Sequence, residues 1–343
     1  MSDLDKQEVT NSHSLSAYDT RVDSQYYDAG KYQGFGGKKL LFVMYSVLKA
    51  RKYDIVLLGH INLSIAGIFI KWLYPSKKLM LIVHGIDVWG ELSFIKRMLL
   101  KKTDGVLAVS NYTKDKLLER HAISDKVQVF PNTIDPYFPI PSSVLRSNGL
   151  RNKYGLTESD FILYTLTRLS HTETYKGYDK VIAAVAAIIY DYPDVKYIIA
   201  GKYDDTEKKR IDALIGKYDL QGKIILTGFL DESELVEHYQ MADVYIMPSK
   251  KEGFGIVFIE AMICGLPVIA GNQDGSVDAL QGGETGTLVN PDDTGEIEHA
   301  IRQALLNDIR RDERKLEQIK EKTLEKFSFQ QYKQRLRAII SAN

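Results

Sequence analysis

Short apolar runs rich in β-branched residues alternate with amphipathic stretches of helical period along almost the whole chain. Few folds accept that alternation. A strand that must pair in parallel with the next one needs a crossover, and a helix is the usual crossover, so the pattern predicts parallel sheets wound with helices. In the first half the predicted strands are 55–58, 78–83, 105–109 and 127–130, with helices over 92–102 and 113–120. Residues 131–148 interrupt the pattern and hold four of the nine prolines, which marks a linker. The second half resumes with strands at 161–167, 196–200, 223–227, 244–247, 267–270 and 286–289. Helices are predicted at 178–190, 206–218, 232–240 and 256–264. The expected architecture is α/β, two doubly wound Rossmann-like domains whose strand C-termini face a cleft, where such sheets bind ligands. The expected boundaries are 1–140, 141–326, and a C-terminal helix over 327–343 that packs back toward the first domain.

At 343 residues the chain is long enough for two cores. Lys plus Arg number 45 and Asp plus Glu 45, so the formal net charge is zero. That balance argues against a general nucleic-acid binder. The charge is uneven, however. Residues 1–150 carry 20 basic against 14 acidic residues (+6), and residues 151–343 carry 25 against 31 (−6). A single cysteine, Cys264, excludes an internal disulfide and a cysteine-built zinc cage. The longest apolar stretches, 40–48 and 63–70, fall short of the ~18 residues of a membrane span. The polar start of the sequence has no signal-peptide pattern. A cytoplasmic protein is expected.

The chemistry is concentrated in Glu252-Gly253-Phe254-Gly255-Ile256-Val257-Phe258-Ile259-Glu260, followed by Ala261-Met262-Ile263-Cys264-Gly265-Leu266-Pro267. Gly253 and Gly255 let backbone approach a ligand, and the predicted helix that starts beyond them points free N–H groups at the same spot, which suits phosphate. Glu252 precedes the turn. Glu260, about two turns on, can accept hydrogen bonds from sugar hydroxyls.

Two glutamates at this spacing, the Gly-Phe-Gly turn and the Ala-Met-x-x-Gly-x-Pro tail together resemble the E-x7-E signature of retaining glycosyltransferases of family 4, which have the GT-B fold. Other segments extend the resemblance over roughly residues 35–339. Arg168 and Lys176-Gly177 look like the family's pair of cations for the donor diphosphate. Gly228-Phe229-Leu230 resembles the nucleobase pocket, and Asn272-Gln273-Asp274 the loop beside the donor phosphates. His84-Gly85 resembles the histidine near the donor sugar. His60, Asn62 and Asp87 fall on the acceptor side.

The resemblance implies transfer of a hexose from a nucleoside-diphosphate sugar to a glycan or lipid-linked acceptor, with retention, in cell-surface polysaccharide or glycolipid biosynthesis. Arg168, Lys176, Glu252 and His84 would be catalytic. Glu260, Gly253, Phe254, Gly255, Ile256, Val257, Gly228, Phe229, Leu230, Asn272 and Asp274 would bind the donor. Neither cofactor nor metal is expected. The lone Asp-x-Asp, Asp3-Leu4-Asp5, reads as a polar segment.

These enzymes open with a strand and a Gly-Gly loop. No convincing strand is read before Gly34-Phe35-Gly36-Gly37, so the first domain is expected to be shortened at its start. Residues 38–52 and 92–102 combine basic and apolar side chains, which suggests a peripheral position on an anionic membrane at the inner face of the plasma membrane. The alternative reading is a non-catalytic partner that binds nucleotide sugar or docks on membranes.

Overall fold

The structure is a computed structural model that describes residues 11–121, 123–307 and 312–341. Asp3-Leu4-Asp5 lies outside them. By its internal contacts the chain forms two compact units. The first comprises Met1–Val109, Thr113–Phe130 and Lys333–Asn343, the second Ser110–Tyr112 and Pro131–Tyr332.

In the first unit a parallel sheet has the order β3 (Ile55–Leu58), β4 (Lys78–Val83), β5 (Gly105–Ala108) and β6 (Val127–Val129). Helices α1 (Lys39–Ala50), α2 (Ser64–Leu73), α3 (Ile86–Trp89), α4 (Phe94–Lys102) and α5 (Asn111–Arg120) intervene. The core is built from Leu79, Leu81 and Val83 of β4 with Leu99, Leu100 and Leu117 of the helices. Burial on both faces explains why these strands read as unbroken apolar runs. β3 is an edge strand. A cavity of about 700 Å³ lies beside it, lined in part by Phe42, Ala50 and Ile339.

One sequence expectation is corrected here. A two-stranded parallel sheet, β1 (Ser14–Ser16) with β2 (Tyr32–Gly34), precedes α1. Gly34-Phe35-Gly36-Gly37 therefore does follow a strand. Three-residue strands carry too few side chains for a periodicity to show.

The second unit has six parallel strands: β7 (Phe161–Leu166), β8 (Val195–Ala200), β9 (Ile224–Gly228), β10 (Val244–Met247), β11 (Val268–Gly271) and β12 (Thr287–Val289). Their order is β12-β11-β10-β7-β8-β9. The direction of winding reverses between β7 and β10, so the loops leaving these neighbours part to opposite faces and open a crevice. Helices α6 (Tyr178–Ile188), α7 (Asp205–Lys217), α8 (Leu235–Met241), α9 (Ile256–Ile263), α10 (Ser276–Ala279) and α11 (Thr294–Asn307) complete it. A core of Tyr178, Val181 and Val185 from α6 packs on Tyr197, Ile199 and Ile246. α12 (Glu313–Phe327) and α13 (Phe329–Ser341) close the described chain.

The division between units falls at Phe130/Pro131, ten residues ahead of the expected boundary. The linker is held by the second unit: the Ile134 amide donates to the Phe327 carbonyl (3.0 Å), and Val144 is buried against Gly265.

Candidate active site

Apart from Glu260, which lies within α9, the expected donor residues of the second unit lie in the segments that follow the C-terminal ends of parallel strands. Arg168 and Lys176 follow β7, Gly228-Phe229-Leu230 ends β9, Glu252 to Val257 leads from β10 into α9, and Asn272 and Asp274 follow β11. In this topology strand-end loops are held by a rigid sheet, which keeps their side chains in register.

Gly255, whose φ of 83° is left-handed, stands at the N-cap of α9, and no side chain caps the helix. A Cβ at Gly255 would run into the Phe258 ring. The first amides of the helix are thereby left for an external acceptor, beside the positive end of its dipole. The helix sequence is apolar on nearly all sides, and Phe258, Ile259, Ala261, Met262 and Ile263 are buried. A helix of that kind is anchored in the core. The Phe254 side chain is part of this anchor. Its ring is buried and meets Phe327 edge-on, 5.2 Å between centroids. Leu230 is likewise buried, whereas the Phe229 ring is 76% exposed.

Glu252 is fixed from three directions. Its amide donates to Asp274 Oδ2 (2.7 Å), its carbonyl accepts from the Gly275 amide (2.8 Å), and its carboxylate pairs with the Lys176 ammonium. Both side chains of that pair are mostly buried, at 16% and 14% exposure. Lys176 ends a 3-10 turn, Thr174–Lys176, and Gly177 (φ 80°) then turns the chain into α6. Arg168 is 70% exposed and pairs with Glu173, which holds its guanidinium above the usual range.

Asp274 is buried and accepts from Ser249 Oγ (2.6 Å) and the Ser276 amide (2.9 Å) as well as from Glu252. Burial pushes its carboxyl up to about 6, against the pull of those donors. It therefore ties the loop after β10 to the loop after β11. A Cβ at Gly275 would collide with the Gly253 carbonyl, so the two loops meet backbone to backbone. Asn272 is exposed beside them.

Glu260 is the one charged residue in α9. The Tyr239 hydroxyl donates to its Oε2 at 2.7 Å, and burial raises its pKa. A buried carboxylate needs such a donor, and the second oxygen keeps its acceptor capacity.

In the first unit, His60 and His84 lie in the loops that follow β3 and β4, and their rings stack 5.9 Å apart. His84 Nε2 donates to the Gly59 carbonyl (2.7 Å), which fixes the orientation of the ring. His60 Nδ1 accepts from the Asn62 amide (3.0 Å), so this histidine caps the turn that follows it. Asp87 Oδ1 accepts from the His84 amide (3.0 Å), and Oδ2 faces His60 Nε2 at 3.9 Å. Asn62 itself is exposed.

Sequence reasoning missed Glu173, Tyr239 and Ser249. Glu173 lies between Arg168 and Lys176 and could have been noticed as their nearest carboxylate. Tyr239 and Ser249 reach the site only through tertiary packing.

Two family models cover most of the chain. Residues 147–323 match the model for glycosyl transferases group 1, more than half of the chain. The chain belongs to that family. Residues 15–138 match the model for glycosyltransferase family 4. Among curated relatives, a GDP-mannose-dependent alpha-(1-6)-phosphatidylinositol monomannoside mannosyltransferase of Mycolicibacterium smegmatis is 29% identical over 69% of this chain and 63% of its own length. The N-acetyl-alpha-D-glucosaminyl L-malate synthase of Bacillus anthracis is 28% identical over 66% of this chain and 58% of its own. These matches thus span about three-fifths of the relatives' length. Among solved structures, Anabaena HepE in complex with UDP and glucose superimposes with a TM-score of 0.73 at 19% identity, over 91% of this chain and 86% of that one. That likeness shows the GT-B fold, here with a first-unit sheet of four strands against six in the second.

Proposed function

We propose that this member of the family transfers a hexose from a nucleoside-diphosphate sugar to a hydroxyl of a glycan or lipid-linked acceptor, with retention, in the making of cell-surface polysaccharide or glycolipid. The observation that carries this reading is the convergence of Lys176 and Glu252 on the uncapped start of α9. The named relatives act on sugars, and the HepE structure holds UDP, which supports a nucleotide-sugar donor.

In this reading the diphosphate sits on the α9 amides, with Lys176 and Arg168 compensating its charge as it leaves. Prepositioned donors of this kind stabilise developing charge without reorganising. Glu260 accepts from the ribose hydroxyls and Glu252 from the sugar. The C1–O bond to the diphosphate breaks while the acceptor oxygen bonds to C1 on the same face. The acceptor proton passes to the departing phosphate oxygen, so no side-chain nucleophile is required. Two cations and a helix dipole take the part a metal ion plays elsewhere, and no metal is assigned. A lipid-linked acceptor would set the enzyme on the cytoplasmic face of a membrane.

The test is a thermal-shift panel of UDP-, GDP- and ADP-sugars, followed by turnover of the sugar that stabilises the protein. A shift with one nucleotide class and release of its diphosphate are expected. No shift with any of them would sink the proposal.

A further inference from the structure

We propose that the outer face of α1 and α2, with the start of α4, docks on an anionic phospholipid bilayer. The proposal deepens the reading above by naming the surface that would bring the enzyme to a lipid-linked acceptor.

Both helices carry two apolar faces. The inner ones are used: Phe42, Val47 and Ala50 of α1, and Ala66 and Ile70 of α2, are buried. The outer ones are exposed among the described residues. On α1, Leu40, Met44 and Leu48 fall at i, i+4 and i+8 and form one stripe. On α2, Ile65, Phe69 and Trp72 fall at i, i+4 and i+7 and form another. Leu40 is 74% exposed and Trp72 71%. α2 packs against both α1 and α4, so the stripes stand on neighbouring helices. Phe94, 72% exposed, adds to them at the start of α4. Single exposed apolar side chains are ordinary, but a set of this size on adjacent helices marks an interaction surface.

Charge identifies the occupant. Lys38, Lys39, Lys49, Arg51 and Lys52 bracket the α1 stripe, with no acidic residue from 38 to 53. Lys96, Arg97, Lys101 and Lys102 lie on α4, again with no acidic residue from 94 to 102. Basic side chains around an apolar stripe fit lipid phosphates above acyl chains, and their methylene stems can lie along the apolar layer. A second copy of the same face would bring like charge against like, which disfavours self-association. The sequence pattern pointed to 38–52 and 92–102 but not to α2, which carries the exposed Trp72. On α4, Leu99 and Leu100 face the core, so that helix contributes its basic side chains and Phe94 rather than a full apolar face.

The experiment uses the full chain with Trp89→Phe, which leaves Trp72 as the one tryptophan. Extruded vesicles of phosphatidylcholine, alone or with one-third phosphatidylglycerol, are added. Trp72 emission should shift to the blue and be quenched by brominated acyl chains with the anionic vesicles only, and added salt should weaken the effect. In the native-tryptophan background, Leu48→Gln/Phe69→Gln/Trp72→Gln should reduce co-sedimentation about tenfold or more, with unchanged circular dichroism and an unchanged thermal shift from nucleotide sugar. The unchanged thermal shift separates failure of this surface from failure of the donor site. Absence of binding to anionic vesicles would overturn the proposal. So would undiminished binding by the triple variant, or an unshifted Trp72 in protein that still co-sediments. A dimer in sedimentation velocity that the triple substitution dissociates without lipid would overturn it in favour of a protein interface.

Discussion

Lys176 and Glu252, 76 residues apart in sequence, form an ion pair at the point where β7 and β10 send their loops to opposite faces of the sheet. A diphosphate placed there would exchange that carboxylate for a more highly charged partner on the same ammonium. The pair thus keeps Lys176 oriented and the site neutral.

Replacing Lys176 by Ala should weaken nucleotide-sugar binding by about 1.5–3 kcal/mol, the worth of a hydrogen bond to a charged group. Calorimetry should show a roughly 10- to 150-fold rise in Kd. Unchanged affinity would remove Lys176 from the donor site.

Arg168 is held by Glu173 in an exposed pair, and such pairs contribute little to stability. Glu173→Gln should leave Tm nearly unchanged and tighten donor binding a few-fold at low salt. The gain should fade as salt rises. Weaker binding in the variant would mean that Glu173 positions Arg168 instead of competing for it.

The Tyr239 hydroxyl lowers the Glu260 pKa against the larger opposing effect of burial. Tyr239→Phe should therefore raise that pKa further. If donor binding needs the Glu260 carboxylate, the acidic limb of a Kd-versus-pH profile should move to higher pH. A weaker Kd with an unmoved limb would indicate a packing role only.

Asp274 has a native pKa of about 6, above its ordinary 3.8. A group raised in the folded state contributes full stability below its unfolded pKa and loses it as pH rises through the folded one. Between pH 4 and 7 this loss amounts to up to about 3 kcal/mol. The stability difference between Asp274→Asn and the parent should move in the variant's favour over that interval, as read by denaturant melts. A difference that stays flat with pH would contradict the assignment.

With cations and helix amides handling the leaving diphosphate, turnover should persist in EDTA. Activity abolished by EDTA and restored by Mg²⁺ or Mn²⁺ would place a metal in the reaction.

Much of this was legible in the sequence because parallel strands buried on both faces are written as continuous apolar runs. The predicted strands at 55–58, 78–83 and 244–247 have the observed bounds. The glycines and glutamates around α9 were legible because a turn into a helix has local requirements. The motif places Phe254 between two site glycines, and only tertiary packing reveals that its ring turns inward to Phe327. His60 looked like a site residue from its strand-end position, while its Nδ1 serves the next turn. Tyr239 left no local trace, since its role depends on α8 lying beside α9.

The neighbours β7 and β10 are joined over only two residue pairs, Leu163 with Val244 and Tyr164 with Tyr245, whereas β7 and β8 share six. A molecule gripped at once by the loops leaving β7 and β10 would therefore suture the sheet across its briefest seam. Occupancy of the site and the cohesion of the second unit would then be a single thermodynamic quantity, and backbone amides around that seam would exchange with solvent more slowly whenever the donor is bound.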